Sequence, residues 1–109
     1  MEEQRYARLI TMKAKRGRGD EFRKVFEREV VPTAKKLKGM RRLYLLREAG
    51  KKDEFVVISM WRSERDAENY AKSGRNREYA KRLGGVQSGR ERVKKLHVTI
   101  HAVGGSARR

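Results

Sequence analysis

Hydrophobic and polar residues alternate in four separate segments of the chain, and this period of two is typical of β-strands. The strongest pattern covers residues 54–61, and weaker ones cover 5–15, 40–48 and 93–103. In 54–61 apolar side chains occupy both faces, with Phe55, Val57 and Trp61 on one face and Val56, Ile58 and Met60 on the other. A strand that is apolar on both faces is expected to be covered on both.

Two helical regions are predicted, one between the first and second strands along the chain and one between the third and fourth. The first follows Asp20, the predicted N-cap, and Pro32 predicts a break near Val31 because proline removes a backbone donor. The second follows the predicted N-cap Ser63 and is interrupted at Gly74. Apolar residues at helical spacing in the first region are Phe22, Val25, Phe26, Val30 and Leu37.

The resulting order β-α-β-β-α-β predicts an α+β, ferredoxin-like domain with a four-stranded antiparallel sheet and helices on one face. We expect residues 1–103 to form this single domain and residues 104–109 to be a flexible tail. Because the helices cover one face only, the other face would expose apolar side chains of 54–61. Such a surface predicts a partner, and a second copy of the chain in a twofold homodimer is the commonest solution.

Charge is the most unusual feature of the composition. The chain has 109 residues, 40% of them charged, and a formal net charge of +16. The basic residues are spread over both halves, and no run of aromatic residues of the RNA-binding kind accompanies the densest stretch, 72–95. We therefore do not expect a specific nucleic-acid partner, although nonspecific adhesion to polyanions at low salt is expected.

Other residue types exclude several classes of site. The chain has no cysteine, which excludes disulfides, thiol catalysis and thiolate metal sites. His97 and His101 are the only imidazoles, and on one strand they would lie about 13 Å apart, too far to share a metal ion. No apolar run is long enough to span a bilayer, and the first residues lack the layout of a signal peptide, so we expect no membrane partner and a cytoplasmic protein. Scarce Asn and Gln give a thermophile-like balance.

The segment 54–83 resembles the antibiotic biosynthesis monooxygenase (ABM) superfamily, the dimeric α+β barrel group. The residues that carry the resemblance are the apolar strand ending in Trp61, then Arg62-Ser63-Glu64, a helix with Tyr70, and the break at Ser73-Gly74. Upstream, Val31-Pro32 and Lys38-Gly39-Met40 resemble the helix-end proline of the family and the glycine that opens its second strand. The resemblance extends over about residues 5–103.

The resemblance implies a dimer whose two sheets enclose a barrel, with a pocket between sheet and helices in each subunit. Some members oxidise aromatic polyketides without metal or flavin, because the substrate itself, as an enolate or phenolate, gives an electron to oxygen. Others bind and degrade haem. For this chain it implies a cofactor-independent monooxygenase-like activity on a small aromatic substrate, with no cofactor.

The chain departs from the family at its functional positions. Where many members have histidines after the tryptophan, this chain has Tyr70 and Arg75. The Asn, Trp and axial His of the haem-degrading branch fall approximately on Ala7, Tyr70 and Ala80. Alanine cannot ligate iron, so we do not expect haem degradation.

These considerations give a set of candidate site residues. The candidate catalytic residues are Tyr70, Arg75 and His97, and the candidate pocket residues are Tyr44, Trp61, Phe22 and Phe26. Each of them could instead be ordinary core or surface, since buried aromatic residues fill cores and tyrosine hydroxyls find partners in most proteins. Two function classes therefore stay open at this point. One is the monooxygenase-like enzyme, and the other is a non-catalytic small dimer whose basic surface binds anionic partners.

Overall fold

The computed structural model describes residues 3–105 and contains one four-stranded sheet with four helical segments. The elements in chain order are β1 (Tyr6–Ala14), α1 (Gly19–Glu29), α2 (Val31–Ala34), β2 (Met40–Arg47), β3 (Glu54–Trp61), α3 (Glu64–Lys72), α4 (Arg75–Leu83) and β4 (Gln87–His97). All paired strands are antiparallel, in the order β2-β3-β1-β4. The predicted ferredoxin-like α+β fold is confirmed, with each helical region divided in two.

The two divisions have the local causes that the sequence predicts. Pro32 lies in the first turn of α2, where its missing N–H breaks no helical hydrogen bond. Gly74 separates α3 from α4 with φ 86°, a left-handed conformation that favours glycine. At the start of α3 the Ser63 hydroxyl accepts a hydrogen bond from the Asp66 N–H at 3.2 Å, which confirms the predicted N-cap.

The N-cap predicted for α1 was wrong. The helix begins at Gly19, one residue before Asp20, and no side chain at its own N-cap position bonds to it. Instead, the carboxylate of Asp53 accepts hydrogen bonds from the N–H groups of Gly17 at 2.9 Å and Gly19 at 3.0 Å. This partner is distant in sequence, so local patterning could not identify it.

The two faces of the sheet differ sharply in coverage. Phe55, Val57 and Trp61 lie under the helices and are buried. Register pairing places Val56, Ile58 and Met60 on the opposite face, which no helix covers. Three further apolar side chains on this open face, Tyr44, Leu46 and Leu96, are between 41% and 45% exposed. The predicted uncovered apolar face is present, and within a single chain the sheet is not closed into a barrel.

The last strand differs from its predicted bounds of 93–103. β4 begins at Gln87 and ends at His97, because β1 begins at Tyr6 and pairs with His97 there. Residues 98–103 have no strand to pair with, and Ile100 is 86% exposed. The polar stretch 87–92 has no alternation, so β1 rather than the side-chain pattern determines where β4 starts.

The predicted tail, 104–109, lies mostly outside the described residues. Gly104 and Gly105 are described and have no regular structure. The assignment of 1–103 as one domain stays a prediction. Among residues 3–105, no helix is long and apolar enough to cross a membrane.

Candidate active site

A polar row crosses the helix-covered face of the sheet and separates two hydrophobic clusters. The larger cluster surrounds Phe22 and Phe55, and the smaller one surrounds Trp61. Between them, Arg8 on β1 pairs in register with Ser59 on β3, and both are buried. The row thus places a cation and a hydroxyl inside the layer where sheet meets helices.

A cavity of about 60 Å³ adjoins this row. Its lining combines apolar, aromatic and polar groups, which include Arg8, Ile10, Phe26, Val57, Ser59, Trp61, Tyr70, Asn76, Tyr79, Ala80, Leu83 and Glu91. This volume is room for about two water molecules. Sites for drug-sized ligands usually enclose several hundred Å³, so a larger guest requires that part of the wall moves.

Arg8 is the most unusual residue of the cavity. Its side chain is buried, and among residues 3–105 neither Nε nor Nη1 has a hydrogen-bond partner. The guanidinium lies 5.2 Å from the centroid of the Tyr70 ring. A ring face attracts the cation but does not satisfy Nε and Nη1. Leaving a buried charge without its partner costs about 3–5 kcal/mol where a buried pair has been broken, so this arrangement calls for a ligand or another role.

Three aromatic side chains form a continuous series along one wall. The Tyr70 ring lies 5.4 Å from the Trp61 ring and 6.5 Å from the Tyr79 ring, measured between centroids. The Trp61 Nε1–H donates a hydrogen bond to the Ser59 hydroxyl at 2.9 Å, so the Ser59 hydroxyl proton is free to point elsewhere. The wall is therefore aromatic, with its polar edges held by short hydrogen bonds.

Burial raises the pKa of Tyr70 to about 12, and the neighbouring Arg8 opposes this rise. The Tyr70 hydroxyl is consequently protonated at neutral pH. A protonated phenol can donate a hydrogen bond to an anionic oxygen placed in the cavity.

Helix α4 forms one wall of the cavity. Gly74 precedes it and Gly84 follows it, so flexible residues lie at both ends. A Tyr79–Thr33 hydroxyl hydrogen bond of 2.8 Å and an Arg82–Glu29 ion pair of 2.7 Å connect the helix to the rest of the molecule. Hydrogen bonds from Arg28 and Arg82 lower the pKa of Glu29, which keeps this partner ionised.

The structure brings some of the predicted site residues together. Trp61, Tyr70 and Phe26 line the cavity. Phe22 does not, because it is fully buried in the larger cluster, where its ring stacks on Phe55 at 4.7 Å between centroids. Tyr44 lies on the open face, since it pairs with Ile58 and follows the helix-facing Leu43 by one residue.

The other two candidates lie away from the cavity. Arg75 begins α4 and is exposed. His97 ends the edge strand β4, is exposed, and has its Nε2 atom 3.8 Å from a Glu64 carboxylate oxygen. Ala7, aligned with a haem-pocket residue of the family, points to the open face, whereas Ala80 does line the cavity. Among residues 3–105, no cluster of His, Asp and Glu has the form of a metal site.

Sequence reasoning missed Arg8 and Ser59, although a signal was present. On β1 the helix-facing positions are Tyr6, Arg8, Ile10 and Met12, and on β3 they are Phe55, Val57, Ser59 and Trp61. In each strand one polar residue occupies a place where alternation predicts an apolar one. Two such exceptions on adjacent strands indicate a polar site inside the core.

The sequence profile of a known family matches most of the chain. The antibiotic biosynthesis monooxygenase profile covers residues 5–82, and the chain belongs to this family. The expected resemblance is therefore confirmed. A search of curated proteins finds no significant match.

Several solved structures share the fold at low sequence identity. SnoaB, a cofactor-independent oxygenase from Streptomyces nogalater, is 19% identical, with 90% of this chain and 96% of SnoaB covered and a TM-score of 0.72. NE2512 from Nitrosomonas europaea, of unknown function, is 12% identical over 97% and 100% of the two chains, with a TM-score of 0.77. The haem degrader MhuD from Mycobacterium tuberculosis is 18% identical over 90% and 99%, with a TM-score of 0.74. Identities this low support the fold alone.

Proposed function

We propose that this protein is a cofactor-independent monooxygenase-like enzyme for a small aromatic substrate. The observation that carries the proposal is the cavity between sheet and helices, walled by Trp61, Tyr70 and Tyr79. Aromatic walls suit an aromatic guest because ring stacking adds to the burial of apolar surface. Membership of the monooxygenase family and the fold shared with the oxygenase SnoaB support the reaction class.

The reaction we envisage requires only the substrate and O₂. An aromatic substrate with an acidic methylene loses a proton, and the resulting enolate gives an electron to O₂. Carbon and oxygen then combine to a peroxide, whose O–O bond breaks as the second methylene proton leaves. The methylene becomes a carbonyl with one oxygen atom of O₂, and the other atom leaves as water.

The side chains would supply positioning and hydrogen bonds. Trp61 and Tyr70 would stack on the substrate ring, and the protonated Tyr70 hydroxyl would donate to a substrate or peroxide oxygen. An engineered cavity that takes a benzene-sized guest encloses about 150 Å³, more than the 60 Å³ present. Entry of the substrate therefore requires a shift of α4, which glycines flank at both ends.

The small cavity volume also favours a second candidate function. A non-catalytic dimer with a basic surface for anionic partners needs no opening of α4, and its interior would stay closed. In both cases we propose a homodimer through the open face of the sheet, because Tyr44, Leu46 and Leu96 are exposed there. Mass measurement at micromolar concentration tests the dimer, and a stable monomer would contradict it.

The enzymatic proposal is tested with a hydroxylated anthrone, whose methylene is acidified by the ring carbonyl. We expect protein-dependent consumption of labelled O₂ and one labelled oxygen atom in each molecule of quinone product. Tyr70→Phe should slow the reaction, whereas Arg47→Met, at a residue that does not line the cavity, should leave it unchanged. Heat-denatured protein measures spontaneous oxidation. A rate equal to that background for every such substrate would leave the non-catalytic dimer as the better account.

A further inference from the structure

We infer that Arg8 is a specificity-determining residue that binds the ionised oxygen of a phenolate and so selects phenolates over neutral phenols. The inference deepens the proposed function, on which it rests for the aromatic class of the ligand. It concerns a residue on β1 that is buried, charged and lines the cavity. The ligand would be an aromatic ring between the aromatic walls, with its oxyanion directed at the guanidinium.

Two donor nitrogens of Arg8 are available to a ligand. Nε and Nη1 of Arg8 have no hydrogen-bond partner among residues 3–105, and no ion pair to Arg8 is formed within that range. Buried polar groups in native proteins nearly always have partners, and a charged one without any is rare. An anionic ligand oxygen would satisfy these donors with charge-assisted hydrogen bonds, which are about twice as strong as neutral ones.

The charges around Arg8 determine which kind of ligand it can bind. Lys95 is its register neighbour on β4, with its own Nζ atom 3.5 Å from Glu68. Glu91 also lines the cavity and acts electrostatically on Tyr70, but its carboxylate accepts a hydrogen bond from the Gln87 side chain at 3.5 Å and forms no ion pair with Arg8 among residues 3–105. Tyr70 on α3 is protonated at neutral pH. The side of the cavity at Arg8 therefore favours an anion.

The walls of the cavity determine which kind of anion fits. Apart from Ser59, Asn76 and Glu91, the other lining residues are apolar or aromatic, among them Ile10, Val57 and Trp61. A small inorganic ion would lose its hydration there and gain few contacts in return. A phenolate carries its charge on one oxygen and presents an apolar ring to these walls, so both parts of the ligand find complementary surfaces.

The experiment uses 4-nitrophenol as the probe, because it titrates near neutral pH and its phenolate is coloured. An opposite charge at contact distance typically lowers an acid's pKa by one to three units, so we expect the protein-bound probe to ionise at least about one unit lower than the free probe. This corresponds to at least about tenfold tighter binding of phenolate than of phenol. In Arg8→Met this preference should disappear, while Arg8→Lys should retain part of it.

The matched control is Arg47→Met. Arg47 also lies over an aromatic ring, but it does not line the cavity and pairs with Asp20. The Arg47→Met variant should leave the pKa of the bound probe unchanged. Circular dichroism and thermal melting of each variant show whether it is folded, and Arg8→Gln replaces Arg8→Met if the latter is not.

The inference is wrong if wild-type protein does not bind the probe, or if wild type and a folded Arg8→Met bind phenol and phenolate with the same ratio. These measurements need no turnover. If the probe binds as phenolate while no anthrone is oxidised, the oxygenase proposal fails and the role of Arg8 stands. If the anthrone is oxidised but the probe shows no phenolate preference, the oxygenase proposal stands and the role of Arg8 is wrong.

Discussion

Two arginines of this protein lie over aromatic rings on the same side of the sheet, and their surroundings differ completely. Arg47 on β2 lies 5.0 Å from the centroid of Phe55 and forms an ion pair with Asp20 at 3.0 Å, with 36% of its side chain exposed. Arg8 on β1 lies 5.2 Å from the centroid of Tyr70, is buried, and has two nitrogens without partners. The same contact of an arginine with an aromatic ring thus occurs twice. The Arg47 guanidinium is partly exposed and paired with a carboxylate, whereas the Arg8 guanidinium is buried and has two nitrogens without partners.

The difference shows which of the two contacts is structural. At Arg47 water and Asp20 satisfy the cation, and its hydrocarbon stem covers Phe55, a buried core residue. At Arg8 the ring attracts the cation but gives Nε and Nη1 no acceptor, and Tyr70 is only partly buried. We therefore assign packing to the Arg47–Phe55 pair and ligand binding to the Arg8–Tyr70 pair.

The largest expected effect comes from removing each ring. Phe55 is almost fully buried and stacks on Phe22, so Phe55→Ala should lower the free energy of unfolding by about 3–5 kcal/mol. Tyr70→Ala should cost clearly less, because its ring is partly exposed and borders a cavity. Urea denaturation at one fixed protein concentration measures both, since a dimer's stability depends on concentration. Equal losses would remove the structural distinction between the pairs.

Replacing each arginine by methionine should change the free energy of unfolding in opposite directions. Arg8→Met removes an unsatisfied buried charge and keeps an apolar stem, so we expect ligand-free protein to gain about 1–4 kcal/mol of stability. Arg47→Met loses an ion pair with the 83% exposed Asp20, which is worth at most about 1 kcal/mol. Thermal and urea melts of the two variants beside wild type measure the difference. A destabilised Arg8→Met would mean that Arg8 has a structural role.

The sequence predicts most of the fold but not its edges. Alternation predicts the bounds of β3, and Pro32 and Gly74 predict the divisions of the helical regions. These predictions are correct because their causes are local in sequence. β4 and the cap of α1 depend on β1 and Asp53, which are distant in sequence. A strand that exists because its neighbour offers hydrogen bonds need not have an alternating pattern.

The site was less predictable than the fold for a related reason. Trp61 and Phe26 were predicted as pocket residues and Tyr70 as a catalytic residue, and these three line the cavity. Tyr44 has the same residue type, but its place in the strand turns it to the open face. Arg8 becomes visible as a site residue only when register shows that it faces inward beside Ser59.

The burial of Tyr70 can be tested through the ionisation of its hydroxyl group. The raised pKa of about 12 means that the folded state keeps the proton above pH 10, where the unfolded chain loses it. The contribution of this proton is complete below pH 10 and is lost as pH rises towards 12, with a slope of at most about 1.4 kcal/mol per unit. The stability of wild type relative to Tyr70→Phe should fall in this window.

Arg8 should act on the same titration. Because its charge opposes the rise caused by burial, Arg8→Met should move the pKa of Tyr70 further upward, whereas Arg47→Met should not change it. Tyrosinate absorbance, with Tyr70→Phe as the reference spectrum, reports this residue among the four tyrosines. A Tyr70 that titrates at its ordinary pKa would show that the ring is more exposed than the structure indicates.

The smallest effect is expected where the Arg47 pair meets solvent. Asp20→Asn removes the charge that holds Arg47 but leaves the ring contact with Phe55 intact. We expect a loss of at most about 1 kcal/mol, which should vanish in high salt because exposed ion pairs are screened. Binding of 4-nitrophenolate should not change, since neither residue lines the cavity. A loss of stability that persists in high salt would show that the Arg47–Asp20 ion pair is not a weak, screened contact. The contrast between Arg47 and Arg8 would then be smaller than we expect.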